Sequence, residues 1–330
     1  MDTPPGLTLR PATDTDEPAV VALLRSAIGW PADAPLADFF RWKHHDNPFG
    51  RSPAWVAVDD GVVVGLRVFL RWEFESEAGT VRAVRAVDTA TAATHQGQGI
   101  FTRLTLHGID ACQSEGVTMV FNTPNDKSRP GYLKMGWDLV GRLPTAFRPC
   151  RVGGLPSLAR AGVPAERFST STTAGEAVAD VLGDHRAIDD LLASQPQPTG
   201  LRTRRSPSYL WWRYCGFEPL RYRTVVGASG PSDGVAIFRL RRRGPALEAA
   251  IVEVLSPGDE PRPRRRLLNA VVRACGADYA VLLARAAAVA AAGFAPLPGR
   301  GPILTYRGLD RGPKPALSKW HLGLGDVELF

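Results

Sequence analysis

The chain has 330 residues, which at roughly 100–200 residues per domain predicts two domains, and 44% of the residues are apolar, enough for two ordinary cores. The net charge is +7, but the clustered arginines of the second half lack accompanying aromatic residues, so they indicate solvated surface, and specific nucleic-acid binding is not expected. The lack of an uncharged apolar run of about 18 residues argues against a membrane span, and four scattered cysteines argue against a structural zinc site.

The first half of the sequence alternates amphipathic helices with strands. Apolar residues between Val20 and Leu24 share one face of a helix, and Asp59-Asp60-Gly61 is a hairpin turn signal between two strands. The predicted elements are, in chain order, a strand at 7–10, helices at 13–27 and 36–43, strands at 54–58, 62–74 and 81–90, a helix at 100–115, a strand at 117–121 and a helix at 128–135. This order predicts an α/β domain.

The second half repeats the order of the first after an irregular segment rich in proline and glycine. Trp42 before Pro48 is echoed by Trp212 before Pro219, and a pair of strands follows in both places. The repeat predicts a tandem duplication, although chance similarity between two α/β domains stays open. The predicted organisation is a first domain at 1–148, a linker at 149–168 and a second domain at 169–330.

The segment Gln96-Gly97-Gln98-Gly99 stands between a strand and a helix that starts at once. Glycines allow a tight turn and close approach to a ligand, and a helix start offers unpaired N–H groups at the positive end of the helix dipole. Together these features are typical of a site for a pyrophosphate, although a plain strand-to-helix turn has the same pattern. The third glycine of a dinucleotide-binding fingerprint is missing.

A second segment runs from Asn125 to Trp137, and with the loop it carries a family resemblance. The loop resembles the pyrophosphate loop of GNAT acetyltransferases, Gln/Arg-x-x-Gly-x-Gly/Ala, with Phe101 where that family has glycine or alanine. The second segment is similar to the GNAT stretch N-x-x-A-x-x-x-Y-x-x-x-G-F through Asn125 and Tyr132. The resemblance covers residues 7–144 and is firmest at 86–137.

The resemblance implies an acyl-CoA-dependent N-acyltransferase whose two domains are each a mixed, mostly antiparallel twisted sheet flanked by helices. It implies that acetyl-CoA lies along the strand edge at 87–91 and that Tyr132 protonates the departing CoA thiolate. A phenol is protonated at neutral pH, which suits that role. The residues expected to bind the cofactor are Val87, Thr89, Gln96, Gly97, Gln98, Gly99, Ile100, Phe101, Thr102 and Asn125.

The general base and the acceptor site are left open by the sequence. A carboxylate normally takes the proton of the attacking amine, and Asp88, on the strand that enters the site, is a candidate. The C-terminal tail offers another candidate. A tandem acetyltransferase family places its chain-terminal carboxylate in the active site, and the tail of this chain contains Asp326 and ends at Phe330. Simple surface or structural roles are the alternatives for each. Trp42, His44 and Glu73 are expected to line the acceptor pocket.

The second half lacks the cofactor residues, since prolines and acids fill 256–268 where glycines and donors are needed, so we expect it not to bind CoA. The expected substrate is a small-molecule primary amine, and the expected state is a monomer or homodimer. Two rivals are a peptidoglycan-bridge type transferase that uses aminoacyl-tRNA and a non-catalytic acyl-CoA-binding module. The N-terminal sequence has no signal-peptide pattern, which predicts a cytoplasmic protein. The scattered cysteines form no cluster with histidine, so no metal is expected.

Overall fold

A computed structural model of the protein describes residues 6–151, 163–310 and 312–328. The strands of these residues are β1 (Thr8–Pro11), β2 (Ala54–Asp59), β3 (Val62–Ser76), β4 (Gly79–Thr91), β5 (Met119–Asn122), β6 (Asp138–Arg142), β7 (Thr145–Pro149), β8 (Glu176–Ala177), β9 (Leu201–Thr203), β10 (Arg223–Gly227), β11 (Gly230–Arg243), β12 (Ala246–Leu255), β13 (Tyr279–Leu283), β14 (Ala295–Pro296), β15 (Ile303–Gly308) and β16 (Trp320–His321).

The helices of the same residues flank these strands. They are α1 (Glu17–Ile28), α2 (Leu36–His44), α3 (Ile100–Ser114), α4 (Arg129–Lys134), α5 (Val178–Leu182), α6 (His185–Ala193), α7 (Pro207–Cys215), α8 (Pro261–Ala274), α9 (Ala286–Val289) and α10 (Leu324–Val327). None of the helices in the described ranges is both long and apolar enough to cross a membrane.

The chain divides into two compact units, and the first comprises residues 1–141 and 303–316. Its sheet has the order β1-β2-β3-β4-β5-β15-β6, in which β1 to β4 are antiparallel neighbours and β5 runs parallel to β4. Successive residues of β3 are buried, from Val64 to Leu70, which shows that both faces of the sheet are covered.

Helix α3 packs very close to the middle of this sheet because a glycine of the strand faces the helix and a glycine of the helix faces the strand. A Cβ atom at Gly65 of β3 would come within 2.6 Å of Ile100, and one at Gly108 of α3 would come within 2.7 Å of Phe69. Side chains at these positions would push the helix away. The start of α3 is thereby held beside the end of β4, where the candidate site lies.

The second unit comprises residues 142–302 and 317–330. Its sheet has the order β14-β7-β13-β12-β11-β10-β8. Strands β10 to β12 are antiparallel, α8 follows, and β13 is parallel to β12, which is the connection order of β2 to β4, α3 and β5 in the first unit. Each unit is a mixed parallel and antiparallel sheet flanked by helices. That the two units arose by duplication stays a prediction.

Each sheet includes a strand from the other half of the sequence. In the first unit, β15 pairs antiparallel with β5, with Thr305 opposite Asn122. In the second unit, β7 pairs antiparallel with β13. The sequence predicted a boundary at residue 148 and did not anticipate this exchange. Part of the predicted linker, 152–162, lies outside the described residues.

Candidate active site

Strands β4 and β5 pair over only three residues and then part. Ala83, Val84 and Arg85 lie opposite Met119, Val120 and Phe121, while β4 continues to Thr91. Within the described pairings, the β4 edge from 86 to 91 therefore has no partner on the β5 side, and its backbone groups can take an added strand-like ligand. This is the edge that the sequence predicted for the pantetheine arm.

A β-bulge interrupts β4 within this edge. Arg67 of β3 lies opposite Thr89 and Val68 lies opposite Val87, so Asp88 is the extra residue between them. Its φ of 40° is in the left-handed region, which a residue other than glycine adopts at a cost of free energy. The bulge turns the Asp88 side chain toward α2.

The Asp88 carboxylate is the centre of a buried polar cluster formed by Lys43, His44 and Ser52. Its Oδ2 atom lies 2.8 Å from Lys43 Nζ and 2.6 Å from His44 Nε2. The other ring nitrogen of the histidine, Nδ1, lies 3.0 Å from the Ser52 hydroxyl. The order Asp88–His44–Ser52 is a continuous hydrogen-bonded chain.

Electrostatics assign the protons of this cluster. Burial alone would raise the pKa of Asp88, but Lys43 and His44 hold it well below its usual range, so the carboxylate is ionised and only accepts hydrogen bonds. His44 Nε2 must therefore donate to it. Burial lowers the pKa of His44 against the opposing effect of Asp88, so the imidazole is neutral at pH 7 and its Nδ1 accepts from Ser52.

The glycine loop forms a cavity at the end of β4. Gly97 and Gly99 have φ angles of 78° and 74°, and Gly99 is the N-cap of α3. The cavity has a volume of about 360 Å³, and its lining consists of Ala27, Thr89, Ala90, Thr91, His95, Gln96, Gly97, Gly99, Ile100 and Phe101. The free N–H groups of the first turn of α3 meet this loop, an arrangement that suits a pyrophosphate.

Most of the residues predicted to bind the cofactor lie at this cavity. Gln98 and Thr102 are sequence neighbours of lining residues, and Val87 lies two residues before Thr89. Asn125 lies apart from the lining: its Oδ1 atom accepts from the backbone N–H groups of Lys127 and Ser128 and from the Ser128 hydroxyl, all within the turn that precedes α4.

Tyr132 of α4 is buried among aromatic rings and one cation. Its ring centroid lies 5.6 Å from that of Phe101, edge-on, and 5.1 Å from that of Trp137. Arg67 Nη2 donates to the Tyr132 hydroxyl at 2.9 Å. Gly131 makes room for the Phe101 ring, since a Cβ atom there would lie 3.2 Å from it. The bulky residue of the loop thus contacts the predicted acid.

The remaining predicted residues do not join this group. Trp42 is buried against Phe39 in α2. Glu73 lies opposite Arg82, six residues along β3 from Arg67 and therefore about 20 Å away. Asp326 is fully buried in the second unit, where it accepts from the backbone of Gly323 and lies near Arg205. Phe330 is outside the described residues.

Three residues of the site were missed by the sequence reasoning: Lys43, Ser52 and Arg67. Arg67 had a usable signal, because it is a single charge inside the apolar run from Val62 to Leu70, and buried charges are rare without a function or a partner. Lys43 and Ser52 had none, since only the bulge at Asp88 brings them together.

Comparisons with known proteins agree with this geometry. Residues 8–140 match the acetyltransferase (GNAT) domain family. A conserved protein of unknown function from Enterococcus faecalis, a probable N-acyltransferase, has a TM-score of 0.64 at 10% identity over 92% of this chain and 72% of that one. A GCN5-related N-acetyltransferase from Anabaena variabilis has a TM-score of 0.62 at 12% identity, covering 92% and 73%.

Eis1 from Mycobacterium abscessus has a TM-score of 0.57 at 14% identity, covering 92% of this chain and 74% of that one. At such low identity these structures establish a shared fold, and no curated protein matches the sequence. The domain match covers the splayed strands, the glycine loop and Tyr132.

Proposed function

We propose that the chain, whose residues 8–140 match the acetyltransferase (GNAT) domain family, transfers an acetyl group from acetyl-CoA to a primary amine of a small molecule. The amine of an amino sugar or of a biosynthetic intermediate fits this proposal. The observation that carries it is the joining of the glycine loop, the unpaired β4 edge and Tyr132 within one unit.

The residues at the cavity fit acetyl-CoA on physical grounds. Gly97 and Gly99 keep the loop free of side chains where a phosphate would approach, and the start of α3 supplies N–H donors. When bound there, acetyl-CoA supplies the activated thioester. The backbone N–H groups of β4 near Val87 and Thr89 are then the donors that polarise its carbonyl.

The second unit has the opposite chemistry at the corresponding helix start. Helix α8 begins with Pro261, and Pro263 follows, so two of its first three residues have no N–H group to donate. The residue before the helix is Glu260, an acid that would repel a phosphate. We therefore assign CoA binding to the first unit alone.

Tyr132 is the proposed general acid. Its hydroxyl is oriented by Arg67, and its ring is held by Phe101 and Trp137, so the group is fixed before any ligand arrives. A fixed proton donor lets the sulfur leave as a thiol and not as the higher-energy thiolate.

His44 is the proposed general base, with Asp88 as its orienting partner. The carboxylate of Asp88 is a weak proton acceptor because Lys43 and His44 hold its pKa low. The neutral imidazole of His44 is a better one, and its Nδ1 atom faces the Ser52 hydroxyl, which can pass a proton from the amine. From the sequence, Asp88 is a candidate base and His44 is a residue of the acceptor pocket; here His44 is the proposed base and Asp88 orients it.

Calorimetric titration with acetyl-CoA, followed by turnover with a panel of amines, tests the proposal. We expect saturable binding to one site per chain and CoA release that depends on one class of amine. Absence of acyl-CoA binding would reject the proposal, and binding without turnover of any amine would favour a binding module. Aminoacyl-tRNA in place of acetyl-CoA tests the peptidoglycan-bridge alternative.

A further inference from the structure

Arg67 is a buried cation without a counter-ion in the part of the chain that the structure describes. Its side chain is fully buried on β3, and it forms no ion pair with any residue of the described ranges. Taking an unpaired charge out of water is costly, so native structures place such a group where something else offsets the cost.

Aromatic rings supply part of that offset. The guanidinium carbon lies 4.8 Å from the centroid of Phe69, 5.5 Å from that of Phe101 and 5.3 Å from that of Tyr132. Such contacts attract a cation to the negative faces of the rings. Nη2 also donates to the Tyr132 hydroxyl, but Nε and Nη1 have no hydrogen-bond partner among the described residues. Two buried donors are thus directed at something other than those residues.

The position of these donors indicates their ligand. Arg67 lies directly opposite Thr89, so the two side chains share one face of the sheet, and Thr89 and Phe101 both line the cofactor cavity. Tyr132, held by the same guanidinium, is the group proposed to protonate sulfur. We infer that Arg67 binds the sulfur of CoA and stabilises the negative charge that it acquires as the acyl group leaves. This inference rests on the proposed function, because sulfur is the leaving atom of that reaction.

The charge balance explains why an arginine suits this position. The amine nitrogen forms a bond to the acyl carbon and gives up one proton through Ser52 to His44. The carbon–sulfur bond breaks, and the electron pair of that bond stays on sulfur. The Tyr132 proton moves to sulfur and leaves the negative charge on the phenol oxygen, which Arg67 already contacts. A guanidinium has five N–H donors in a fixed fork, so it can face sulfur and the phenol oxygen together and keeps its own protons.

A binding experiment tests this without any acceptor amine. Calorimetry at pH 7 and pH 9 compares CoA with desulfo-CoA, in which hydrogen replaces the thiol. With the cysteine value of about 8.5 for the pKa of the free thiol, a cation that lowers this pKa by about one unit in the complex should raise the affinity of CoA relative to desulfo-CoA about sixfold from pH 7 to pH 9. We expect that gain in the wild-type protein and a change below about twofold in Arg67→Met.

The groups around Arg67 do not obscure this readout. Cys112 of α3 has a pKa raised to about 12, chiefly by burial. Asp88 stays ionised and His44 stays neutral over the interval, because both have lowered pKa values. Tyr132 is the other titratable group that faces Arg67, and Tyr132→Phe should keep the gain if the guanidinium is its source.

Each outcome decides between the two claims. If neither ligand binds the wild-type protein, the proposed function fails. If both ligands bind but the affinity of CoA relative to desulfo-CoA is the same at pH 7 and pH 9, the inference is wrong while the proposed function stands. The same holds if this relative affinity rises with pH as much in Arg67→Met as in the wild-type protein. Binding of desulfo-CoA by Arg67→Met shows that the variant is folded. Should that variant not fold, Arg67→Lys, which keeps the charge without the fork, is expected to retain only part of the gain.

Discussion

The carboxylate of Asp88 lies 2.8 Å from the ammonium of Lys43, and the pair sits on the bulge of β4 where the strand leaves its neighbour. The Lys43 side chain is fully buried, so this pair is far from an ordinary surface salt bridge. It holds a strained residue in place and fixes the proton positions of His44.

Replacing Lys43 by methionine should destabilise the protein by about 3–5 kcal/mol, because the Asp88 charge would be left buried without its main counter-charge. Urea unfolding at pH 7 measures this effect. Lys134→Met, at an exposed lysine of α4, is the matched control and should change the free energy of unfolding by less than about 0.5 kcal/mol. Equal effects of the two variants would contradict a stabilising role for the pair.

The same ion pair predicts a pH dependence of stability. The pKa of Asp88 is lower in the folded protein than the value of about 3.9 in an unfolded chain. Its contribution is therefore fully present above about pH 4 and is lost as the pH falls through the folded value. Unfolding curves between pH 7 and pH 3 should show Asp88→Asn losing less stability on acidification than the wild-type protein loses.

His44→Asn and Ser52→Ala should each lower kcat about 100-fold, because the proposed proton path is cut while the cofactor cavity is untouched. The pKa of His44 is lowered, so the acid limb of the wild-type rate profile should lie below about pH 6.5. The charge of Lys43 contributes to the lowered pKa of His44, so Lys43→Met should shift the acid limb of the rate profile to higher pH. Steady-state rates measured across pH test the loss of kcat and the position of the acid limb. An acid limb that does not move in Lys43→Met would remove His44 from the mechanism.

Gly97→Ala should weaken CoA binding at least about tenfold, since alanine resists a φ of 78° and the loop would lose its fit to the phosphates. Gly61→Ala is the matched control, because Gly61 has the same φ of 78° and equally open surroundings in a hairpin turn. Both variants should lose similar stability, about 1–2 kcal/mol, while only the first loses CoA affinity. Calorimetry and thermal unfolding separate the two effects.

Tyr132→Phe should lower kcat about 100-fold and leave the dissociation constant of CoA within about threefold, because only the proton donor is removed. Tyr306→Phe removes a hydroxyl from a buried tyrosine in the same unit, on β15, and should leave turnover close to that of the wild-type protein. An unchanged rate in Tyr132→Phe would show that another group protonates sulfur.

Local patterns in the sequence predicted many of the helices and strands of the first unit and the position of the glycine loop between β4 and α3. The helix expected to begin at Ile100 does begin there, because Gly99 in the left-handed region marks the turn before it. The bulge at Asp88 has no such local mark, so the contacts of Lys43 and His44 with it could not be predicted.

The pairing of β15 with β5 could not be predicted from the sequence either. A strand of six residues can pair with many sheet edges, and its local sequence does not specify which one. Its residues Leu304 and Thr305 are fully buried. A fragment of residues 1–148 should therefore fail to unfold cooperatively, while a fragment of residues 1–141 with 303–316 joined through a Gly/Ser linker should regain a transition. Denaturation followed by circular dichroism compares the two, and cooperative unfolding of the shorter fragment would show that β15 is dispensable.

The placement of β15 also affects the order in which the parts of the chain fold. Its Thr305 bonds to Asn122, a residue 183 positions earlier, and closing so long a loop costs entropy before the contact returns any stability. Sheets built from such distant partners form slowly. During synthesis, the β5 edge must wait until residue 308 has left the ribosome, so the unit that bears the proposed catalytic groups is completed only after most of the second unit has been made.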